Sequence, residues 1–231
     1  MGTGKVAQIL SIEFGLLLQE PETRFSQCYS VLRCSSAATR MASELVRDFK
    51  NHKIVPDVIP VPPESLLQVT YPGEQKVNLG NILMPKQVKD CPVVQWPVEP
   101  KTFYTLCMTD PDAPSRTTPK FREWHHWLVV NIPGTDLERG EVLSEYIGAA
   151  PPKKTGLHRY VFLVYQQNGR MSCGETRLSN RSSQGRGKFS IQKFSEKYQL
   201  GIPVAGNFFQ AQFDDYVPKL YRQLGQFQNA F

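Results

Sequence analysis

The apolar positions of the chain change spacing along its length. After Met41, Leu45, Val46 and Phe49 fall on one helical face and Glu44, Arg47, Asp48 and Lys50 lie off it, which predicts an amphipathic helix. From residue 56 the spacing is that of strands separated by Pro and Gly. Leu66 to Tyr71 alternates, Val77 to Leu83 is split by Gly80-Asn81 like a hairpin, and Val93 to Trp96 follows Pro92. Thr102 to Thr109, His125 to Ile132 and His158 to Gln166 are nearly continuous apolar runs, the pattern of central strands covered on both faces. Phe208 to Phe213 is a later strand. Lys188 to Gln199 places Phe189, Ile191, Phe194 and Tyr198 on one helical side. The last segment predicts a helix capped by Asp214 and Asp215, with Pro218 in its first turn and a stripe of Tyr216, Val217, Leu220, Tyr221, Leu224 and Phe227.

Residues 1–40 show no sustained period and end in Cys34-Ser-Ser-Ala-Ala-Thr-Arg40. Arg24, Arg33 and Arg40 suit a mitochondrial presequence, but Glu13, Glu20 and Glu22 do not; Val6 stands where myristoylation needs Ser or Thr. The reading is a poorly ordered extension over 1–40, upstream of an alternative start at Met41, and one domain over 41–231.

Composition narrows the classes. With 40% hydrophobic and 11% aromatic residues among 231, chain-wide disorder is excluded. Gln8, Glu13 and Gly15 interrupt the early apolar stretch, and nothing elsewhere approaches the ~20 apolar residues of a membrane span. The net charge of +6, from 27 Lys and Arg against 21 Asp and Glu, favours anionic partners, but no basic run or zinc-finger spacing indicates nucleic acid. Arg177, Arg181, Arg186 and Lys188, the densest basic stretch, read mostly as a solvated face. Cys28, Cys34, Cys91, Cys107 and Cys173 form no C-x-x-C pattern, which argues against a disulfide framework or structural zinc and for a reducing, cytoplasmic setting. Cys107, inside an apolar run, reads as a buried small hydrophobe. Asn180-Arg-Ser182 is a coincidental glycosylation pattern.

The chemistry gathers in four segments. Asp110-Pro-Asp-Ala-Pro-Ser-Arg116 is a stiff turn that fixes two carboxylates after an apolar strand. In Glu123-Trp-His-His-Trp127, strict alternation sends Trp124, His126 and Leu128 to one face and His125 and Trp127 to the other, so only one histidine enters a given pocket. Gly148-Ala-Ala-Pro-Pro-Lys-Lys-Thr-Gly156 is a loop of small residues with accessible backbone N–H groups. The strand after it, from Leu157, shows His158, Tyr160 and Phe162 on one face. Two imidazoles and a phenol beside such a loop are the inventory of an anion site.

On these motifs, Thr109-Asp-Pro-Asp-Ala-Pro-Ser-Arg116 running on through Arg122-Glu-Trp-His-His-Trp127, and Gly156-Leu-His-Arg-Tyr160, residues 56–224 resemble a phosphatidylethanolamine-binding protein. That family includes the Raf kinase inhibitor proteins and the plant flowering regulators, and Asp214-Asp-Tyr-Val-Pro-Lys-Leu-Tyr221 resembles its animal branch. The resemblance implies a mostly β fold, a large central antiparallel sheet with a smaller second sheet and C-terminal helices. It also implies an anion pocket of Asp110, Asp112, Pro114, His126, Gly148, His158, Tyr160 and Tyr221 that accepts phosphate-like groups. Gly148-Ala-Ala-Pro-Pro152 departs from the usual Gly-Ser-Gly-Pro-Pro, because Ala149 lacks a hydroxyl and Ala150 resists positive φ, which predicts weaker anion affinity.

The leading functional expectation is therefore a non-catalytic, monomeric, cofactor-free binder. Its partners are a phospholipid headgroup or another phosphate-bearing ligand and, by the resemblance, a protein kinase, with peripheral membrane contact and no nucleic acid. Two other classes compete. His126, His158, Asp110 and Asp112 are legitimate zinc or manganese ligands for a hydrolase, although no extra base is evident. Some members of the resembled family inhibit serine proteases through surface segments, and no reactive-site loop is recognisable here.

Overall fold

A computed structural model describes residues 39–225. The expectation for the extension lies outside these residues as far as residue 38, and Phe227 lies outside them too; the last two residues assigned to the extension, Thr39 and Arg40, are helical.

A first helix, α1, runs over 39–51. Leu45 and Phe49 are buried as its spacing predicts, but Val46 is on the solvent side. The short α2 (Ile54–Asp57) follows. Six strands then form the large sheet: β1 (Ser65–Leu66), β5 (Phe103–Asp110), β6 (Trp124–Pro133), β7 (Glu141–Ser144), β8 (His158–Gln167) and β9 (Ala205–Ala211), in the order β1-β9-β8-β5-β6-β7. The second sheet holds β2 (Gln68–Tyr71), β3 (Gln75–Lys76) and β4 (Val93–Gln95), ordered β3-β2-β4. The large sheet corrects the expectation in one respect: it is mixed, because β1 pairs with β9 in parallel while its other pairings are antiparallel. Apolar spacing says which face a residue occupies and carries no information on partner direction.

Both faces of the central strands are covered, which explains their unbroken apolarity. Leu106, Met108, Tyr160, Phe162 and Phe209 pack with Leu67, which precedes the small sheet, and with its Val69, Tyr71 and Val94. Cys107, Val161, Leu163 and Phe208 face the other way, against Leu45 and Phe49 of α1 and Phe194 of α3 (Ile191–Lys197). Ser190 caps α3 by accepting from the Lys193 N–H at 3.2 Å. The final helix, α4 (Val217–Gln223), has Pro218 in its first turn as expected.

The hairpin expected at Val77–Leu83 does not form. That segment instead runs along β9, where Gly80 N–H donates to Phe208 O at 2.8 Å and Leu83 N–H to Gln210 O at 2.9 Å. Asn207 decides this, since its side chain accepts from Leu79 N–H and donates to Leu67 O and Val77 O. Gly80, at φ +100°, has the Phe208 ring 2.7 Å from where a Cβ would stand, so it is needed for close approach as well as conformation.

A β-bulge in β6 matters most for function. Met108 pairs with Trp127 and Thr109 with His125, so His126 is an extra residue opposite no partner. Alternation resets there. His126 stays on the side of Tyr160, and Trp127 joins it, packing against Tyr146, while Leu128 goes to the α3 side with His125. Strict alternation separates the two histidines correctly and misplaces Trp127 and Leu128.

Candidate functional site

The ends of β5, β6 and β8 meet where Asp110 pairs with Trp124 and Thr109 with Val161. Asp110 accepts from Asp112 N–H at 2.6 Å and from His158 Nδ1 at 2.9 Å. His158 Nε2 lies 2.9 Å from Thr155 Oγ1, whose hydroxyl donates to Pro152 O at 2.7 Å. With its one proton so placed, Thr155 can only accept from His158. Both ring nitrogens of His158 are then donors, and the residue is an imidazolium beside the Asp110 carboxylate. Its pKa agrees in direction: burial disfavours the charged ring, but Asp110 outweighs burial and raises the value.

Asp112 is engaged by a second charged residue. It is fully buried, and Arg159 grips both its oxygens, Nε to Oδ2 at 2.9 Å and Nη2 to Oδ1 at 2.6 Å, with the Arg159 N–H adding a third bond. Burial opposes ionisation of Asp112, but Arg159 prevails and holds the carboxyl below its ordinary range. Arg159 also bonds Asp57 Oδ2 at 2.9 Å and the carbonyls of His52 and Lys53, tying the turn to the end of α1. Asp112 therefore positions the turn. Pro114 belongs to the same turn, partly exposed, and its carbonyl adds to the stabilisation of the His158 charge.

His126 is neutral. Burial pushes its pKa down to about 3, and Nδ1 donates to Ile147 O at 2.9 Å and Gly148 O at 3.1 Å. This fixes the tautomer and leaves Nε2 with a lone pair and no partner among the described residues. Trp124 and Tyr160 hold the ring edge-on at 4.5 and 5.1 Å between centroids. Gly148 is required by approach to Val88 O, only 2.6 Å from a would-be Cβ. Its carbonyl orients His126.

Tyr160 completes the group. Its ring stacks on Phe209, and its hydroxyl is buried without a hydrogen-bond partner; burial and then the Asp110 charge raise its pKa, so it remains a neutral donor. The Tyr221 hydroxyl donates to Ala150 O at 2.9 Å. The 148–152 loop uses no positive φ, so Ala150 is unstrained, and the Ala149 methyl is buried in the core. The alanines fit this backbone.

The residues that sequence reasoning passed over are Arg159, Thr155 and Arg186. Arg159 was detectable, because alternation turns it opposite His158 into a covered face where an arginine needs carboxylates. Arg186, assigned to a solvated face, is fully buried, lies 5.5 Å from the Trp124 ring, and donates to the carbonyls of His125, His126, Glu145, Ser179 and Ser182. Arg177, Arg181 and Lys188 are exposed as expected. Asp112, with both oxygens held by Arg159, is not free to ligate a metal, and among the described residues no three His, Cys, Asp or Glu side chains converge as a ligand set.

The chain belongs to the phosphatidylethanolamine-binding protein family, whose model matches residues 73–209. It is 40% identical over 178 residues to "Putative odorant-binding protein A5" of Drosophila melanogaster, covering 77% of this chain and 85% of that protein. It resembles the carboxypeptidase Y inhibitor in complex with its cognate proteinase, at 30% identity and a TM-score of 0.66 over 78% of this chain and all of the inhibitor. It also resembles the phosphatidylethanolamine-binding protein of Plasmodium vivax, at 28% identity and a TM-score of 0.58, over 73% of this chain and 97% of that one. The animal-branch resemblance is in keeping with the fly relative.

Proposed function

We propose that the protein is a non-catalytic binder of phosphate-bearing ligands, phosphatidylethanolamine-type headgroups or phosphorylated partner segments, and that it modulates kinase signalling through such a segment. The observation that carries the reading is the Tyr160 hydroxyl, a buried donor with no acceptor, facing the side of the sheet that His126 also occupies. A phosphate oxygen satisfies it, and a proton taken up at His126 Nε2 supplies a second, charge-assisted donor. The proposed ligand-contacting residues are His126 and Tyr160, with Tyr221 lining the site. Asp110, Asp112, Pro114, Gly148 and His158 support them. The free Cys91, Cys107 and Cys173 support a cytoplasmic setting, and among the described residues no helix is long and apolar enough to cross a membrane.

Calorimetric titration with glycerophosphoethanolamine, a soluble zwitterionic phosphodiester, tests this. Tyr160→Phe is expected to weaken binding about tenfold, since one buried donor is lost. Affinity unchanged in Tyr160→Phe and in His126→Ala alike overturns the reading. A second reading, protease inhibition, is favoured by the likeness to the carboxypeptidase Y inhibitor over that protein's whole length. It predicts inhibition of carboxypeptidase Y that survives Tyr160→Phe.

A further inference from the structure

The opposite face of the large sheet has a cavity of its own, about 750 Å³ in volume. Leu128, Leu143, Leu178, Phe189 and Phe194 supply its apolar part, and the 175–188 segment walls it with mostly polar side chains, among them Thr176, Ser179, Ser182, Gln184 and Lys188. Arg186, bonded to carbonyls on that segment and on β6, holds the wall in place. Two of its polar groups, His125 and Ser144, are buried beside the apolar side chains. His125 is 5% exposed, stacks on Phe189 at 4.3 Å between centroids, and has Nδ1 3.4 Å from Ser144 Oγ; its Nε2 is buried and has no hydrogen-bond partner. An imidazole nitrogen in that condition is costly unless something supplies its missing bond.

We propose that this cavity is a second ligand site, for a small, neutral, largely apolar molecule whose single hydrogen-bonding group pairs with His125 and Ser144. Its volume lies within the roughly 300–1,000 Å³ of small-molecule pockets, and the apolar side chains beside buried His125 and Ser144 suit a ligand that is apolar where it meets them. Of the charged side chains that line it, Lys188 is exposed to solvent and the other two are paired, so the buried end by His125 and Ser144 favours a neutral group. Glu175 is held by Lys197 and Tyr198, and Arg177 by Glu141 and the Val142 carbonyl. Burial keeps the His125 ring uncharged, with a pKa pushed down to about 4. The site is separate from that of His126, because the two imidazoles leave β6 on opposite sides.

N-phenyl-1-naphthylamine, a neutral aromatic amine whose fluorescence rises on leaving water, tests the proposal on the full chain. Saturable one-to-one binding, displaced by 1-octanol and not by saturating glycerophosphoethanolamine, is the expected result. Thr176 lines the cavity and is exposed, so Thr176→Trp adds bulk there without disturbing the core and should abolish binding. His125→Phe should weaken binding about two- to tenfold through the lost hydrogen bond. Absence of saturable binding, full displacement by glycerophosphoethanolamine, or undiminished binding in Thr176→Trp overturns the assignment.

Discussion

His126 and His158 sit in one site with opposite proton affinities, and this sets the pH behaviour of binding. His158 is already an imidazolium held by Asp110, so it gains no proton when an anion arrives. His126, with its pKa near 3, is neutral in the empty site and must be protonated to donate from Nε2. Affinity for a phosphodiester should therefore rise as pH falls from about 8 to about 6, by at most tenfold per unit, since one proton is taken up. His126→Ala should flatten that profile and His125→Ala should preserve it; titrations at three pH values would decide, and a flat profile in the parent protein would count against proton uptake. Arg159 gives a stability counterpart. Replacing it by Leu strands Asp112 as a buried charge, with an expected loss of about 3–5 kcal/mol in urea unfolding. Glu123 behaves differently, because burial pushes its pKa up to about 8 and Oε2 has no partner. Native Glu123 holds a proton that the unfolded chain releases above about pH 4.3, so Glu123→Gln should gain on the parent by up to about 1.4 kcal/mol per pH unit from there to about 8. Parallel stability–pH curves for the two proteins would refute this.

At the scale of elements, the segment over 175–188 depends on one side chain. Arg186 donates to five carbonyls of β6 and the surrounding loops, and burial lowers its pKa to about 10 while leaving it charged at neutral pH. Arg186→Met should leave those carbonyls unpaired and release the segment, seen as faster amide exchange at residues 178–185 with little change in the centre of β8. The sequence could not reveal this, because an arginine between two glycines looks like a surface residue until the chain has folded around it. The long strands were legible since their apolar runs reflect two covered faces. The short β3 and β7 were not, having two and four residues and too little pattern to register. The site was legible as a set of residue types on the Asp110, His126 and His158–Tyr160 segments. The pairing of those residues was not, because Asp112–Arg159 and Asp110–His158 are chosen by tertiary distance. Nor was the bulge at His126, which inserts one residue without any glycine or proline to mark it.

For the whole molecule, these groups oppose one another across pH. His125 and His126 have folded pKa values near 4 and 3, below the unfolded value, so their contribution to stability is present above about pH 6.5 and is lost as pH falls toward those values. Asp110, Glu123 and His158 are raised on folding, Asp110 and Glu123 chiefly by burial and His158 by Asp110 against burial, so their contributions fade as pH rises, Glu123 up to about 8. Thermal stability should therefore peak near pH 6.5, and a scan from pH 5 to 9 checks it. A monotonic curve would show that other groups dominate. Residues 1–40 enter as a proposal: a chain begun at Thr39, the first residue of α1 as described, should match the thermal midpoint of the full protein. The bulge in β6 has a practical consequence. It leaves His125 and His126 one peptide bond apart in separate chemical compartments, in a chain with only four histidines. Their ring C–H resonances can serve as two built-in channels of one instrument, His126 reporting occupancy on the proposed phosphate side and His125 on the reverse side of the same strand, without any label added.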